Sequence, residues 1–148
     1  MNELNPALGF EFKPVQMSHS VSLPGVIRAL HAENMNKLVY PSTGIMFAAI
    51  ADIRPDSPTF AKVETFTFDD SHRFALFVSK GLANSVCAIE GTVSYIYLID
   101  AYYNGKDTRA VAWDDPDLKI DWPVKNPIVS QRDRSNPKLR DLFPDKFK

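Results

Sequence analysis

The sequence of 148 residues contains little cysteine and no long hydrophobic run. Its single cysteine, Cys87, cannot form a disulfide within the chain, and its apolar neighbours predict a buried, unreactive thiol. No apolar stretch approaches the roughly 20 residues that span a bilayer. The N-terminus also lacks the basic and apolar regions of a signal peptide. These absences predict a cytoplasmic protein that does not enter a membrane.

An excess of charge of one sign is also absent, since 17 Lys and Arg residues stand against 18 Asp and Glu residues. A protein that neutralises many phosphates is usually basic, so we expect no nucleic acid as a partner. Hydrophobic residues make up 45% of the chain, which excludes a disordered protein. The length is typical of one domain, so we predict a single domain over residues 1–148.

Motifs for metals and nucleotide cofactors are missing as well. The histidines His19, His31 and His72 are far apart in sequence, and there is no Cys-x-x-Cys pair. Neither a Gly-x-Gly-x-x-Gly segment nor a P-loop occurs. The acidic residues at 114–117 are interrupted by Pro116, whose rigid turn disfavours a calcium-binding loop. We therefore expect neither a metal nor a cofactor.

Eleven prolines and only six glycines divide the chain into short segments. We find no long amphipathic helix before residue 135. Alternating or continuous apolar patterns predict strands at residues 25–31, 45–51, 62–68, 73–78 and 93–99. Turn residues separate them at 41–44, 54–58, 69–71 and 104–105. Many short strands with regular turns predict an all-β sandwich or small barrel.

The residue pattern of the C-terminal segment differs from that of the predicted strands, and it predicts one short helix over residues 135–143. Ser135 or Asn136 is the expected N-cap, with Pro137 in the first turn.

Polar residues inside the predicted strands are the candidates for chemistry. Arg28 and His31 are three residues apart, so an ideal strand would place them on opposite faces. Both can reach one cavity only if the strand bends or contains a bulge. Tyr95 and Tyr97 share one strand face. The residues alone leave simpler roles open: a hydrogen-bonded core histidine, packed tyrosines, and Lys37 as an exposed edge residue.

Six segments between Leu8 and Leu142 resemble, in the same order, the dTDP-4-dehydrorhamnose 3,5-epimerase family. They are GVIRALH at 25–31, DIR and SPTF within 52–60, GLAN at 81–84, YLIDAYY at 97–103, WDDPDLKIDWP at 113–123 and PIVSQRD at 127–133. The resemblance implies a cupin jelly-roll with a short C-terminal helix, usually dimeric. It also implies a metal-free enzyme that acts on nucleotide-linked 4-keto-6-deoxy sugars in deoxysugar or surface polysaccharide biosynthesis.

The resemblance also implies site residues. A C4 ketone acidifies the hydrogens at C3 and C5, so the reaction needs a base, an acid and a group that stabilises an enolate. His31 matches the family's base, Asp133 its partner and Tyr97 the proton donor on the opposite face. The positions that match substrate-binding residues are Gln16, Arg28, Lys37, Tyr102 and Tyr103, with Lys37 the candidate for the C4 oxygen.

The sequence departs from the family pattern at several positions, and these departures affect the expected nucleotide more than the expected catalytic residues. Asn84 stands where the family has a histidine, and we expect it to donate a hydrogen bond without carrying charge. Leu98 replaces a lysine, the loop at 32–36 is short, and the family's Arg-Gly-Phe-Phe-x-Glu segment is absent. We therefore expect a more open site or a different nucleotide, GDP or CDP. A binding protein without turnover and a 3,4-ketoisomerase are the alternatives.

Overall fold

The computed structural model describes residues 4–105 and 108–148. Strands dominate it, and the helices are short, as the sequence predicted. The elements are α1 (Leu4–Leu8), β1 (Gln16–Ser22), β2 (Val26–Glu33), β3 (Lys37–Asp52), β4 (Val63–Phe68), β5 (Leu76–Val78), β6 (Leu82–Ile99), β7 (Thr108–Ala110), β8 (Ile128–Val129), α2 (Gln131–Arg134), α3 (Leu139–Leu142) and a 3-10 turn (Pro144–Phe147). In these described ranges, no helix is both long enough and apolar enough to cross a bilayer.

The two long strands β3 and β6 organise the sheet. They pair antiparallel along nearly their whole length, from Lys37 opposite Ile99 to Asp52 opposite Leu82. The second half of β6 also pairs with β1, and its first half pairs with β2. β4 and β5 extend the sheet beyond β3, while β7 and β8 pair with β2. Both halves of the fold therefore share the same two long strands.

Residues 41–44, predicted as a turn, instead lie inside β3, so that prediction was wrong. The pairing of β3 with β6 shifts register repeatedly between Pro41 and Met46. Bulges of this kind accommodate proline and glycine within a strand, which explains why the composition suggested a turn. Gly44 has φ +75°, and a Cβ there would lie 2.8 Å from the carbonyl oxygen of Thr92. Only glycine fits this crossing of the two strands.

Alternating residues of β3 and β6 form two cores on opposite faces of the sheet. Phe47 and Ala49 belong to the first core, which the C-terminal segment covers with Leu139. Met46 and Ala48 belong to the second core, with Phe68 at its centre. This arrangement explains why residues 45–51 form a continuous apolar run: both faces of the strand are buried.

Cys87 lies in the first core and is fully buried, as the sequence predicted. Burial raises the pKa of its thiol to about 11. A thiol with so little thiolate at neutral pH is a poor nucleophile, so Cys87 is a packing residue.

The C-terminal helix is present, but its predicted start was wrong. α3 begins at Leu139, and its N-cap is Lys138. Ser135 is instead the C-cap of α2. Asn136 uses its side-chain amide to donate a hydrogen bond of 3.3 Å to the carbonyl of Ala29. Long-range hydrogen bonding therefore takes precedence over the local capping preference.

The predicted strands at 25–31, 45–51, 62–68 and 93–99 all lie within or largely within strands of the fold. The strand predicted at 73–78 is shorter, since β5 comprises only Leu76–Val78. β1 was missed because its alternating side chains are mostly polar or exposed.

Candidate functional site

A cavity of about 570 Å³ opens between β1, β2, β3, β6 and the segment from β8 to α2. Eight of the nine residues selected from the sequence line it: Gln16, Arg28, His31, Lys37, Asn84, Tyr97, Tyr103 and Asp133. These positions are spread over more than 115 residues of sequence and converge only in the fold. The cavity is therefore the candidate site.

A bulge in β2 places Arg28 and His31 on the same wall. Arg28 pairs with Val86, and His31 pairs with Asn84. The step from one pair to the next is therefore three residues along β2 but two residues along β6, which defines the bulge. Ala29 and Leu30, the two residues between them, are both fully buried in the first core. The sequence required such a bulge for both side chains to share a cavity, and the structure contains it.

His31 forms a pair with Asp133. Its Nε2 lies 2.8 Å from Oδ1 of Asp133, whose other oxygen accepts a hydrogen bond of 3.4 Å from the backbone N–H of Ala29. The side chain of His31 is 21% exposed and that of Asp133 only 6%. A carboxylate accepts hydrogen bonds, so Nε2 carries the proton and Nδ1 remains the basic nitrogen. The carboxylate thus fixes both the tautomer and the direction of the imidazole ring.

The short helix α2 holds the aspartate in place. Ser130 is its N-cap, and the Ser130 hydroxyl accepts a hydrogen bond of 3.1 Å from the backbone N–H of Asp133. β8 immediately precedes this cap and pairs in parallel with β2. The strand that carries His31 and the helix that carries Asp133 are therefore fixed to each other.

Lys37 faces the cavity and is only 8% exposed, so the alternative of an exposed edge lysine was wrong. Its Nζ donates a hydrogen bond of 2.7 Å to Oδ1 of Asn84. It also forms an ion pair with the carboxylate of Glu33. Asn84 is thus a partner of Lys37, a role that the sequence did not predict. The arrangement holds one ammonium group within the site.

Tyr95 and Tyr97 stack on one another, with ring centroids 6.1 Å apart and planes inclined by 28°. Both line the cavity, as their shared strand face predicted. Burial raises the pKa of Tyr95, while the nearby Arg28 and a hydrogen bond with Ser20 act in the opposite direction. Tyr95 is the more buried of the two, so Tyr97 is better placed to exchange protons with a ligand.

The cavity mouth brings together Gln16 and Tyr103. Oε1 of Gln16 accepts a hydrogen bond of 3.1 Å from the backbone N–H of Tyr103. Tyr103 is 46% exposed, and Tyr102 is 74% exposed and does not line the cavity. Within this chain, Tyr102 is therefore the one selected residue that the fold does not bring to the site.

Sequence reasoning missed Glu33 and Arg132, which also line the cavity. Glu33 follows His31 by two residues, a spacing that places both side chains on one face of a strand. That spacing was the available signal. Arg132 lies next to Asp133 on α2, and a helix of four residues gave no comparable pattern.

The acidic residues at 114–117 are occupied with structural contacts. Oδ2 of Asp115 accepts a hydrogen bond of 2.7 Å from the backbone N–H of Leu139, and Asp117 pairs with Arg140 at 2.8 Å. Arg140 lowers the pKa of Asp117 through this hydrogen bond. Across the part of the chain that the structure describes, no three His, Cys, Asp or Glu residues are grouped to hold a metal ion.

Comparison with known proteins gives one consistent result. A family model described as dTDP-4-dehydrorhamnose 3,5-epimerase matches residues 1–141. A curated dTDP-4-dehydrorhamnose 3,5-epimerase from Shigella flexneri is 32% identical over 139 residues, which cover 91% of this chain and 77% of the relative. A dTDP-4-dehydrorhamnose 3-epimerase from Streptomyces niveus is 33% identical over 132 residues, covering 86% of this chain and 64% of the relative.

Solved structures show the same similarity. NovW, a 4-keto-6-deoxy sugar epimerase from the novobiocin cluster of Streptomyces spheroides, superposes with a TM-score of 0.93 at 30% identity, over 98% of this chain and 75% of NovW. The rmlC epimerase of Mycobacterium tuberculosis gives a TM-score of 0.91 at 31% identity, over 98% of this chain and 76% of that protein. The chain therefore belongs to the dTDP-4-dehydrorhamnose 3,5-epimerase family and is a carbohydrate epimerase with a cupin jelly-roll fold.

Proposed function

We propose that the protein epimerises a nucleotide-linked 4-keto-6-deoxy sugar at C3, or at both C3 and C5, through an enolate. The observation that carries the proposal is the convergence of the His31–Asp133 pair, Lys37 and Tyr97 on one cavity. These groups supply the base, the cation and the acid that the reaction needs.

Each residue has a defined step. Nδ1 of His31 removes the proton from C3, and the electron pair of the C–H bond forms a double bond to C4. The C4 carbonyl oxygen becomes an enolate oxygen, which the Lys37 ammonium stabilises. Tyr97 then donates a proton to the opposite face of C3, the enolate collapses to the ketone, and the configuration is inverted. Asp133 stabilises the imidazolium that the first transfer forms. Exchange with solvent then removes the proton from His31 and returns one to Tyr97.

Two structural neighbours support a dTDP-linked substrate. An epimerase from Legionella pneumophila, 26% identical with a TM-score of 0.90, was solved with dTDP-4-keto-L-rhamnose. ChmJ, a 3'-monoepimerase from Streptomyces bikiniensis, is also 26% identical with a TM-score of 0.90 and was solved with dTDP-quinovose. Arg28 and Arg132 on the cavity wall are suited to the diphosphate of such a nucleotide. Related proteins thus include both single and double epimerases.

Solvent deuterium incorporation tests the proposal. The wild-type protein is incubated in D₂O with dTDP-, GDP- and CDP-linked 4-keto-6-deoxy sugars, and NMR locates the deuterium. Label at C3 alone assigns a 3-epimerase, and label at C3 and C5 assigns a 3,5-epimerase. Absence of exchange with every substrate would overturn the proposal, and calorimetric binding without exchange would support a binding protein instead. A product with its ketone moved to C3 would indicate a 3,4-ketoisomerase.

We also propose that the protein is a cytoplasmic homodimer that uses the outer face of β1. Met17 and Val21 on this face are 67% and 52% exposed, and they lie beside Leu98 and Ser94 of β6. Large apolar side chains exposed on one face of a surface strand favour an interaction site there. Light scattering should give twice the chain mass, and Val21→Glu should give the monomer mass. A monomeric wild-type protein would contradict the dimer, and cell fractionation tests the location.

A further inference from the structure

Glu33 is a nearly buried carboxylate in the wall of the cavity, and the proton transfers described above do not use it. Its side chain is 11% exposed. Its Oε2 is buried, has Lys37 as its ion-pair partner, and accepts no hydrogen bond from any other group in the described ranges. A carboxylate is costly to bury, so its position requires an explanation.

The β2–β3 connection fixes this ion pair. Glu33 is the last residue of β2 and Lys37 the first residue of β3, and only residues 34–36 separate them. The carbonyl of Glu33 accepts a hydrogen bond of 3.1 Å from the backbone N–H of Gly81. The side-chain amide of Asn36 donates to Asp100 at 2.6 Å. Both ends of the connection are therefore anchored to the body of the fold.

An ammonium group has three N–H donors. The structure directs Nζ of Lys37 towards two acceptors, Oδ1 of Asn84 and the Glu33 carboxylate. With these two fixed, the orientation of the third donor is fixed as well, and it is available to an oxygen atom in the cavity. An uncharged or freely rotating side chain would lose this orientation.

We propose that Glu33 is a positioning residue that holds the Lys37 ammonium group in place and aimed at the C4 oxygen of the substrate. The inference rests on the proposed epimerisation and adds to it a residue that acts through Lys37. The enolate develops its charge only during the reaction, so a fixed ammonium stabilises the transition state more than the bound ketone. Loss of Glu33 should therefore lower kcat and leave KM nearly unchanged.

The first experiment measures turnover. Glu33→Gln removes the charge with little change of shape and is expected to lower kcat by about 10²-fold, comparable to the loss of one enolate-stabilising donor. KM should stay within about twofold. Glu33→Asp should recover part of the rate because it restores the charge. Glu64→Gln, an exposed change on β4, is the matched control and should match the wild type.

A double-variant cycle tests whether Glu33 acts through Lys37. In a Lys37→Met background, Glu33→Gln should cause almost no further loss of kcat, because its partner is already gone. A full additional 10²-fold loss would show that Glu33 acts on the substrate directly and would overturn the positioning role. Thermal unfolding of each variant identifies any that fail to fold, and Glu33→Ala, which also removes the carboxylate, replaces Glu33→Gln if that variant does not fold.

The second experiment needs no substrate, so it tests the ion pair independently of the proposed substrate and mechanism. Lys37 is labelled with acetic anhydride, and mass spectrometry follows the modified peptide. Glu33→Gln should increase the labelling rate several-fold, since the amine loses the ion pair that holds it and becomes more accessible to the reagent. Equal rates in wild type and variant would overturn the inference. Absence of deuterium exchange by wild type together with faster labelling would contradict only the proposed function.

Discussion

Nε2 of His31 lies 2.8 Å from Oδ1 of Asp133, although 102 residues separate them in sequence. The contact joins the bulged strand β2 to the helix α2, and both residues face the cavity. Because Asp133 is buried, its carboxylate interacts with the imidazole through little intervening water. The geometry of the proposed base is thus set by a contact that only the folded chain provides.

Asp133→Asn should abolish most of the proposed activity. An amide can turn its N–H towards Nε2, which would favour the wrong tautomer and remove the charge that stabilises the imidazolium. We expect kcat to fall by about 10²- to 10⁴-fold with nucleotide binding retained. The rate of deuterium exchange and calorimetry with dTDP measure the two effects. Asp121→Asn, an exposed change away from the cavity wall, is the control. Unchanged exchange in Asp133→Asn would remove the pair from the mechanism.

Tyr97→Phe should separate exchange from inversion. His31 can still remove a proton and return a solvent deuteron to the same face, so label should enter C3 without a change of configuration. Formation of the epimer should fall by about 10²-fold or more, as expected when a general acid is removed. NMR distinguishes labelled substrate from labelled product. Tyr95→Phe, on the same strand face but paired with Ser20, should lose less activity. Equal losses of exchange and inversion would contradict a role for Tyr97 confined to the second face.

The sequence predicted the apolar strands well but not the strand that presents polar side chains to the cavity. β1 was missed because Gln16, Ser18 and Ser20 line the cavity, so its pattern is opposite to that of a strand against an apolar core. The ion pair of Glu33 with Lys37 was missed for a different reason. It depends on the register across the β2–β3 connection, which short-range patterns do not specify.

The site residues were predicted mainly through resemblance to a family. From the residues alone, Arg28 and His31 could share one cavity only if the strand bent or contained a bulge, and the structure contains a bulge between them. They did not pair His31 with Asp133, because a contact over 102 residues leaves no local signal. Pro41 and Gly44 suggested a turn, whereas both lie in a bulged strand of the fold. Such residues mark irregular backbone without specifying whether the chain reverses.

Gly44→Ala should destabilise the fold more than Gly91→Ala, and Gly91→Ala is the matched control. Both glycines have positive φ, +75° and +65°, so each alanine costs about 1–2 kcal/mol from backbone strain. At Gly44 the new Cβ would also lie 2.8 Å from the carbonyl oxygen of Thr92, and backbone there cannot easily move. At Gly91 the nearest atom would be 3.7 Å away, an ordinary contact. Urea unfolding measures the difference in unfolding free energy between the two variants. Equal losses of unfolding free energy would show that β3 and β6 can move apart at Gly44 with little energetic cost.

Asp52 should stabilise the protein in a pH-dependent way. Its pKa is held well below the ordinary range, chiefly by the hydrogen bonds from Arg54, with Ser57 and Thr59 also donating to it. A carboxyl group with a lowered pKa in the folded state contributes its full stabilisation above its unfolded pKa of about 3.9, and the contribution declines as pH falls below that value. Asp52→Asn should therefore lower the free energy of unfolding by roughly 1–3 kcal/mol at pH 7. The difference in unfolding free energy between variant and wild type should shrink between about pH 5 and pH 2.

Urea unfolding at several pH values measures this difference in unfolding free energy, with the exposed Asp56→Asn as control. A difference that stays constant with pH would show that Asp52 acts through packing and not through its charge.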